Sequence, residues 1–281
     1  MDLFVLFQKT IPQTLLTVLA GSLASSERKW LKNKLIKKFI KAFVVDMKEA
    51  QFERPEQYRS FNEFFTRPLK AGCRPLDVGA GNEQQVFSPA DGVISEIGEL
   101  SDDRILQAKG MSYTLKNLIG DSDLAESCRG GTFVTIYLSP KDYHRIHVPF
   151  EATLESIDYK PGKLFSVNQR TANNVHGLFA RNERLVATLD ANISGYALVM
   201  VGAMIVGGME TRATGKLNRS KHPYSPKITA QKFAAGEEFG RFYLGSTVIL
   251  TFPRQMNIRW DEKFRAGAPV KMGQSLGWLE K

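Results

Sequence analysis

Residues 240–252 read GRFYLGSTVILTF, an apolar run rich in β-branched and aromatic side chains, interrupted at Gly245-Ser246-Thr247. Such a composition reads as a strand. A glycine inside it marks a bulge or a place where another backbone comes close. Working outward, the same texture recurs in VFSPADGVISEIG (86–98), GTFVTIYLSP (131–140), LVATLD (185–190) and ALVMVGAMIVGGME (197–210). Short Val/Ile/Phe/Tyr runs alternate with Gly and Pro, without the strand-helix alternation of a doubly wound parallel sheet. The expected fold is α+β: a mainly antiparallel β body preceded by a helical N-terminal region. Residues 1–75 form that helical region and residues 76–281 the β-rich body, with a short loop near 76–85 between them. Residues 215–236 read as a long polar connection.

The N-terminal region is decided by WLKNKLIKKFIKAFVV (30–45). Leu31, Leu35, Ile36, Phe39, Ile40 and Phe43 recur at helical spacing, with Lys32, Lys34, Lys37, Lys38 and Lys41 mostly between them. Residues 27–50 hold eight Lys and Arg against three Asp and Glu, a net +5 of the chain's +9. Such a helix either lies in a membrane interface with its cations toward anionic headgroups, or packs its apolar face on the body. Upstream, IPQTLLTVLAGSLAS (11–25) is too short and too interrupted to span a bilayer, and Asp2 stands where a secretion signal carries positive charge. The expectation is a retained segment and a chain on the cytoplasmic side. With 281 residues, 43% of them hydrophobic, the chain can bury a sizeable core. Its basic charge points to an anionic partner. Nucleic acid is disfavoured, because the charge concentrates on one helix and no recognition module is visible. Cys73 and Cys128 match no metal spacing and read as free thiols.

Four histidines are present, two of them in SPKDYHRIHVPF (139–150). In a strand, His144 and His147 point to opposite faces; in a turn they converge. A zinc reading lacks further ligands. Asp91 sits in FSPADGVIS (87–95), where Asp-Gly alone reads as a turn. Asp91, His147 and Ser246 together supply what an activated hydroxyl needs: a nucleophile, a base and a carboxylate to orient the base. Neither a G-x-S-x-G elbow nor a phosphate-binding glycine motif accompanies them.

From about Ser60 onward the chain resembles bacterial phosphatidylserine decarboxylases of the membrane-associated type. The resemblance rests on FNEFFTRPLK, FSPADG, KDYHRIHVP, YKPGKLFSVN, LFARNER, VGAMIVG and GRFYLGSTV, in that order. It implies a proenzyme that cleaves itself between Gly245 and Ser246. The products are a large β chain (1–245) and a small α chain (246–281) whose Ser246 has become a covalent pyruvoyl group. Asp91, His147 and Ser246 would form the charge relay of that cleavage; Thr247 receives no role. The pyruvoyl carbonyl then captures the amine of phosphatidylserine as a Schiff base, carbon dioxide leaves, and phosphatidylethanolamine results, with His144 as candidate proton donor. The lyase would need neither pyridoxal phosphate nor metal. The expected partners are phosphatidylserine and an anionic membrane surface, with two large-small pairs joined as a homodimer, peripherally on the cytoplasmic face of the cell membrane. A lipid-directed serine hydrolase would keep Ser246 intact but lacks the nucleophile elbow. A membrane-binding protein without catalysis leaves the Asp91, His147 and Gly-Ser constellation without a purpose.

Overall fold

The structure is a computed structural model and describes residues 2, 6, 8, 13–79, 84–108, 110–204, 208–243 and 246–280. Gly245, one half of the expected cleavage point, lies outside the described residues, as do residues 205–207 of VGAMIVG and most of the first twelve.

Three helices open the described chain: α1 (Gln13–Ala24), α2 (Lys29–Phe43) and α3 (Phe61–Phe65). Helix α2 ends where Val44 takes a left-handed conformation, φ 53°, and donates its N–H to the Ile40 carbonyl. Its apolar stripe is covered. Ile36 is fully buried, and Leu35, Phe39 and Ile40 pack with it against Tyr58, Phe61, Phe64 and Phe65. The Phe39 ring meets those of Phe61, Phe64 and Phe65 at centroid distances of 5.1, 5.9 and 5.8 Å. The apolar face of this helix is thus covered by other residues of the N-terminal region and not by the β body. The apolar side chains left open are Leu16, Val18, Leu19 and Leu23 of α1, with Trp30, Phe43 and Val44 at the ends of α2. Among the described residues no helix is long and apolar enough to cross a membrane.

The body is antiparallel. In chain order its strands are β1 (Gln85–Phe87), β2 (Gly92–Glu99), β3 (Arg104–Ala108), β4 (Met111–Thr114), β5 (Thr132–Leu138), β6 (Arg145–His147), β7 (Ala152–Lys160), β8 (Arg184–Asp190) and β9 (Gly195–Val201). They continue with β10 (Met209–Thr211), β11 (Gly215–Lys216), β12 (Gln231–Phe233), β13 (Glu238–Phe242), β14 (Ser246–Phe252), β15 (Ile258–Trp260), β16 (Pro269–Val270) and β17 (Ser275–Leu279). The main sheet runs β12-β7-β8-β9-β14-β5-β2-β16, a smaller one β11-β10-β13-β6, and a third β1-β17-β15, while β3 and β4 pair as a hairpin. The polar stretch 215–236 therefore holds two short strands, β11 and β12, and stacks Tyr224 on Tyr159 at 4.8 Å.

Strand β14 explains why GRFYLGSTVILTF looks apolar without alternation. It lies inside the main sheet between β9 and β5, and all seven of its residues are buried. Val248, Leu250 and Phe252 point into one hydrophobic layer, and Ile249 points into the other with Val199, Val201 and Phe133. Gly92 opens β2 for a steric reason: a Cβ there would stand 2.3 Å from the Tyr137 carbonyl oxygen of β5.

Candidate active site

Ser246 is the first residue of β14, in register with Leu138 at the end of β5. It is fully buried, and its Oγ has no hydrogen-bond partner among the described residues; the same holds for Thr247 Oγ1. Buried hydroxyls are nearly always paired, so an orphan at this position calls for a reason.

From Leu138 the chain turns through residues 139–144 into β6, which pairs with β13, the strand that precedes the expected cleavage point in sequence. The Phe242 N–H donates to the His144 carbonyl at 3.0 Å, four residues before Ser246. His147 faces Glu238 in the same ladder. His144 therefore lies about 10 Å nearer the Phe242 end of β13 than His147, given roughly 3.3 Å per residue. The two rings also go to different surroundings. His144 packs on Phe65 of α3 at 4.0 Å between centroids, and His147 on Tyr143 at 5.6 Å.

The hydrogen bonds settle both tautomers. His144 Nδ1–H donates to the Asp142 carbonyl at 2.8 Å, which leaves the lone pair on Nε2, a buried atom without a partner. Burial pushes the His144 pKa down to about 3; the Asp142 carbonyl opposes this and the Arg67 cation adds to it. The ring is thus neutral near pH 7 and presents an acceptor. The sequence reading made His144 a proton donor; as built, it donates only after it has first taken a proton. His147 Nδ1–H donates to the Gly236 carbonyl at 2.9 Å, and the Tyr143 hydroxyl donates to Nε2 across 3.1 Å. Burial lowers the His147 pKa, against the opposing effect of the Gly236 hydrogen bond.

Asp91 does not hydrogen-bond to His147. Its carboxylate accepts from Arg74 Nε at 2.9 Å to Oδ1 and from the Met272 N–H at 2.9 Å. Arg74 also reaches Glu49 at 2.7 Å. The hydrogen bond from Arg74, working against burial and helped by Lys271, holds the Glu49 carboxyl at about 2. The expectation that Asp91 sets the tautomer of His147 is therefore corrected: the Gly236 carbonyl sets it, because the carboxylate is already claimed by a guanidinium. Asp91 still lies near. The His147 N–H donates to the Pro89 carbonyl at 2.8 Å, and the Asp91 charge favours a protonated His147. Nor is Ser246 hydrogen-bonded to His147, so the three expected relay residues are not joined by hydrogen bonds in this structure.

Sequence reasoning missed the side chains that organise this corner. Tyr143, Arg74, Arg67 and Glu49 line, with Asp91 and Asp142, a polar cavity of 230 Å³ beside the histidine loop. Tyr143 directly precedes His144 in the sequence, and that adjacency was the one available signal. Arg74 leaves no local signal. Among the described residues no group of three or more His, Cys, Asp and Glu side chains converges as a metal site.

A buried hydroxyl and a buried imidazole nitrogen without partners are costly in a purely structural protein and are groups with which catalysis could work. Comparison with known proteins identifies the family. The profile of the family described as phosphatidylserine decarboxylase matches residues 61–278, and a second profile, described as PSD, matches residues 3–44. Proteins named phosphatidylserine decarboxylase proenzyme are similar over nearly the full length. That of Ectopseudomonas mendocina is 48% identical over 98% of this chain and 97% of its own. That of Pseudomonas fluorescens is 47% identical over 98% and 96%, and that of Acinetobacter baylyi 45% over 98% and 95%. The chain belongs to the phosphatidylserine decarboxylase family.

Proposed function

We propose that the chain cleaves itself between Gly245 and Ser246, converts Ser246 to a pyruvoyl group, and uses it to decarboxylate phosphatidylserine to phosphatidylethanolamine. The single observation that carries this reading is the buried, unpartnered Ser246 hydroxyl at the head of the central strand. A serine hydrolase needs its hydroxyl kept and activated, whereas a hydroxyl used once, on its own backbone, needs only proximity to the preceding carbonyl.

In the self-cleavage, Ser246 Oγ bonds to the Gly245 carbonyl carbon, the peptide C–N bond breaks, and the hydroxyl proton passes to a base. His147 Nε2 is that base, once Ser246 Oγ replaces the Tyr143 hydroxyl on it. Asp91 stabilises the resulting imidazolium through its charge rather than by direct contact. Elimination of the new ester then separates residues 1–245 from 246–281, and hydrolysis at position 246 releases ammonia.

A pyruvoyl group at 246 would supply an electrophilic carbonyl for the substrate amine and an electron sink for the departing carboxylate. The site suits such a group, because Ser246 Oγ, which leaves in the carboxylate of residue 245, makes no hydrogen bond among the described residues that would be lost. His144 Nε2 takes one proton from the substrate's ammonium and returns it to the α-carbon after carbon dioxide has left. Neutral imidazole in the Nδ1–H form suits the first half of that task, and its protonated form the second.

The membrane reading is supported by the uncovered apolar side chains of α1, Val18 at 57% and Leu19 at 59% exposure, beside Trp30 at 67% and the exposed lysines of α2. The resemblance supports a peripheral position on the cytoplasmic face and a homodimer of large-small pairs. Flotation with anionic vesicles and sedimentation of the processed enzyme test these two points. For the chemistry, Ser246→Ala is expected to abolish both cleavage and decarboxylation, read by intact mass and by product formation. A Ser246→Ala protein that still forms phosphatidylethanolamine refutes the proposal.

A further inference from the structure

We infer that Arg67 is the positioning residue of His144, holding its ring and its proton in place across the contact between α3 and the histidine loop. The inference rests on the role proposed above for His144.

Arg67 is 3% exposed; among the described residues no carboxylate pairs with it, and its guanidinium lies over the Phe64 ring, 5.6 Å from the centroid. Its Nη2 donates to the Lys141 carbonyl at 2.8 Å and the Asp142 carbonyl at 3.3 Å, while Nε and Nη1 are buried without partners. The nearby carboxylates are engaged elsewhere: Asp91 and Glu49 with Arg74, and Asp142 with the N–H and hydroxyl of Ser139, each at 2.7 Å. An unpaired buried guanidinium is costly, and a Met or Leu of similar volume would pack more cheaply. The charge is kept for what it does to its neighbours.

What it holds is specific. The Asp142 carbonyl that accepts from Arg67 is the same one that accepts from His144 Nδ1–H. A carbonyl oxygen only accepts, so fixing it fixes the proton on Nδ1 and the lone pair on Nε2. The neighbouring residues of α3 complete the seat. The Phe65 ring lies on the His144 ring, and the Thr66 carbonyl accepts from Arg145 Nε at 3.0 Å. Residues 65, 66 and 67 thus each grip the loop that carries His144.

Burial keeps His144 uncharged, and Arg67 adds a smaller push in the same direction. The other charged groups around the ring are spent on one another: Asp142 on Ser139, Arg145 on Glu238, and Arg241 on Glu238. Phe65 contributes only an apolar face, and β13 a backbone N–H from Phe242. Loss of Arg67 therefore releases the Asp142 carbonyl and frees the tautomer of His144, which misplaces the acceptor needed for the substrate's ammonium.

The test uses full-length, self-processed enzyme in detergent, with histidine-labelled samples and His144→Ala to assign the resonance. Wild type is expected to show His144 as one Nδ1–H tautomer, neutral from pH 8 to pH 5. Arg67→Met is expected to self-cleave, to show mixed tautomers within that range, and to lose on the order of tenfold in kcat with KM little changed, part of the 10²–10⁴ that acid-base catalysis supplies. Arg67→Lys keeps the charge but not the planar fork, and is expected to keep His144 neutral while kcat falls severalfold. An Arg67→Met enzyme with wild-type tautomer and kcat overturns the inference. Should Arg67→Met fail to fold, Arg67→Lys decides: wild-type kcat overturns, a severalfold loss at unchanged KM supports. If wild type itself fails to decarboxylate phosphatidylserine, the proposed function falls, yet the tautomer of His144 in the Arg67 variants still decides this point.

Discussion

Replacing Arg74 by Met would leave Asp91 charged and buried with only the Met272 N–H to hold it. The side chains of Arg74 and Asp91 are 6% and 9% exposed, so this is a desolvated ion pair and not a surface one. Removing one partner of such a pair costs about 3–5 kcal/mol, because the remaining charge loses its compensation. For 281 residues, an unfolding entropy of about 2.1 cal/mol/K per residue gives roughly 0.6 kcal/mol/K, so the loss corresponds to a Tm lower by about 5–8 °C. Removing the second charge as well should recover part of the loss. Arg74→Met with Asp91→Asn is therefore expected to melt above Arg74→Met alone, although Glu49 also loses one of its two cationic partners and keeps Lys271. Scanning fluorimetry in a Ser246→Ala background, where every variant should be one covalent chain, measures the series. A single variant within 2 °C of its parent, or a double variant that melts lower still, would show that Arg74 does not neutralise Asp91 as the hydrogen bonds indicate.

Three further expectations follow from the same geometry. The small chain would own β14, whose Val248, Ile249, Leu250 and Phe252 are at most 1% exposed; burial of four such side chains contributes about 6–12 kcal/mol. The two chains should co-elute on native size exclusion and separate only in denaturant, and release of the small chain without denaturant would contradict this. Stability should fall in mild acid: the unfolded chain protonates His144 at its ordinary 6.5 while the folded ring resists down to about 3, so stability rises with pH through that window and is lost below it. Between pH 7 and pH 5 this group alone removes about 2 kcal/mol, above the range where Glu49 titrates, and His144→Asn should flatten the decline in Tm. Lastly, borohydride added during turnover should inactivate the enzyme and place its label on residue 246; a label on a lysine would contradict a carbonyl at that position.

The β body was readable because β14 is covered on both faces, which produces a β-branched and aromatic run without the polar alternation of an amphipathic strand. The period of α2 was equally plain, but periodicity does not say what covers the apolar face. FNEFF supplies the cover, and the exposed apolar surface passed to α1. His144 precedes β6, so its three-residue spacing from His147 did not by itself settle where the two rings go. What pattern did not carry were contacts distant along the chain: Gly236, 89 residues from His147, fixes that histidine's proton, and Arg74 occupies the carboxylate assigned to it. A carboxylate near a histidine in sequence logic is not a carboxylate bonded to it, since any guanidinium the fold brings closer makes the stronger pair.

The central claim concerns the bond between Gly245 and Ser246, and intact mass spectrometry of denatured, active enzyme tests it most directly. The expected result is two chains, residues 1–245 and 246–281, the smaller carrying a pyruvoyl group in place of an N-terminal serine and therefore closed to Edman degradation. A single chain of full mass in enzyme that forms phosphatidylethanolamine would contradict it.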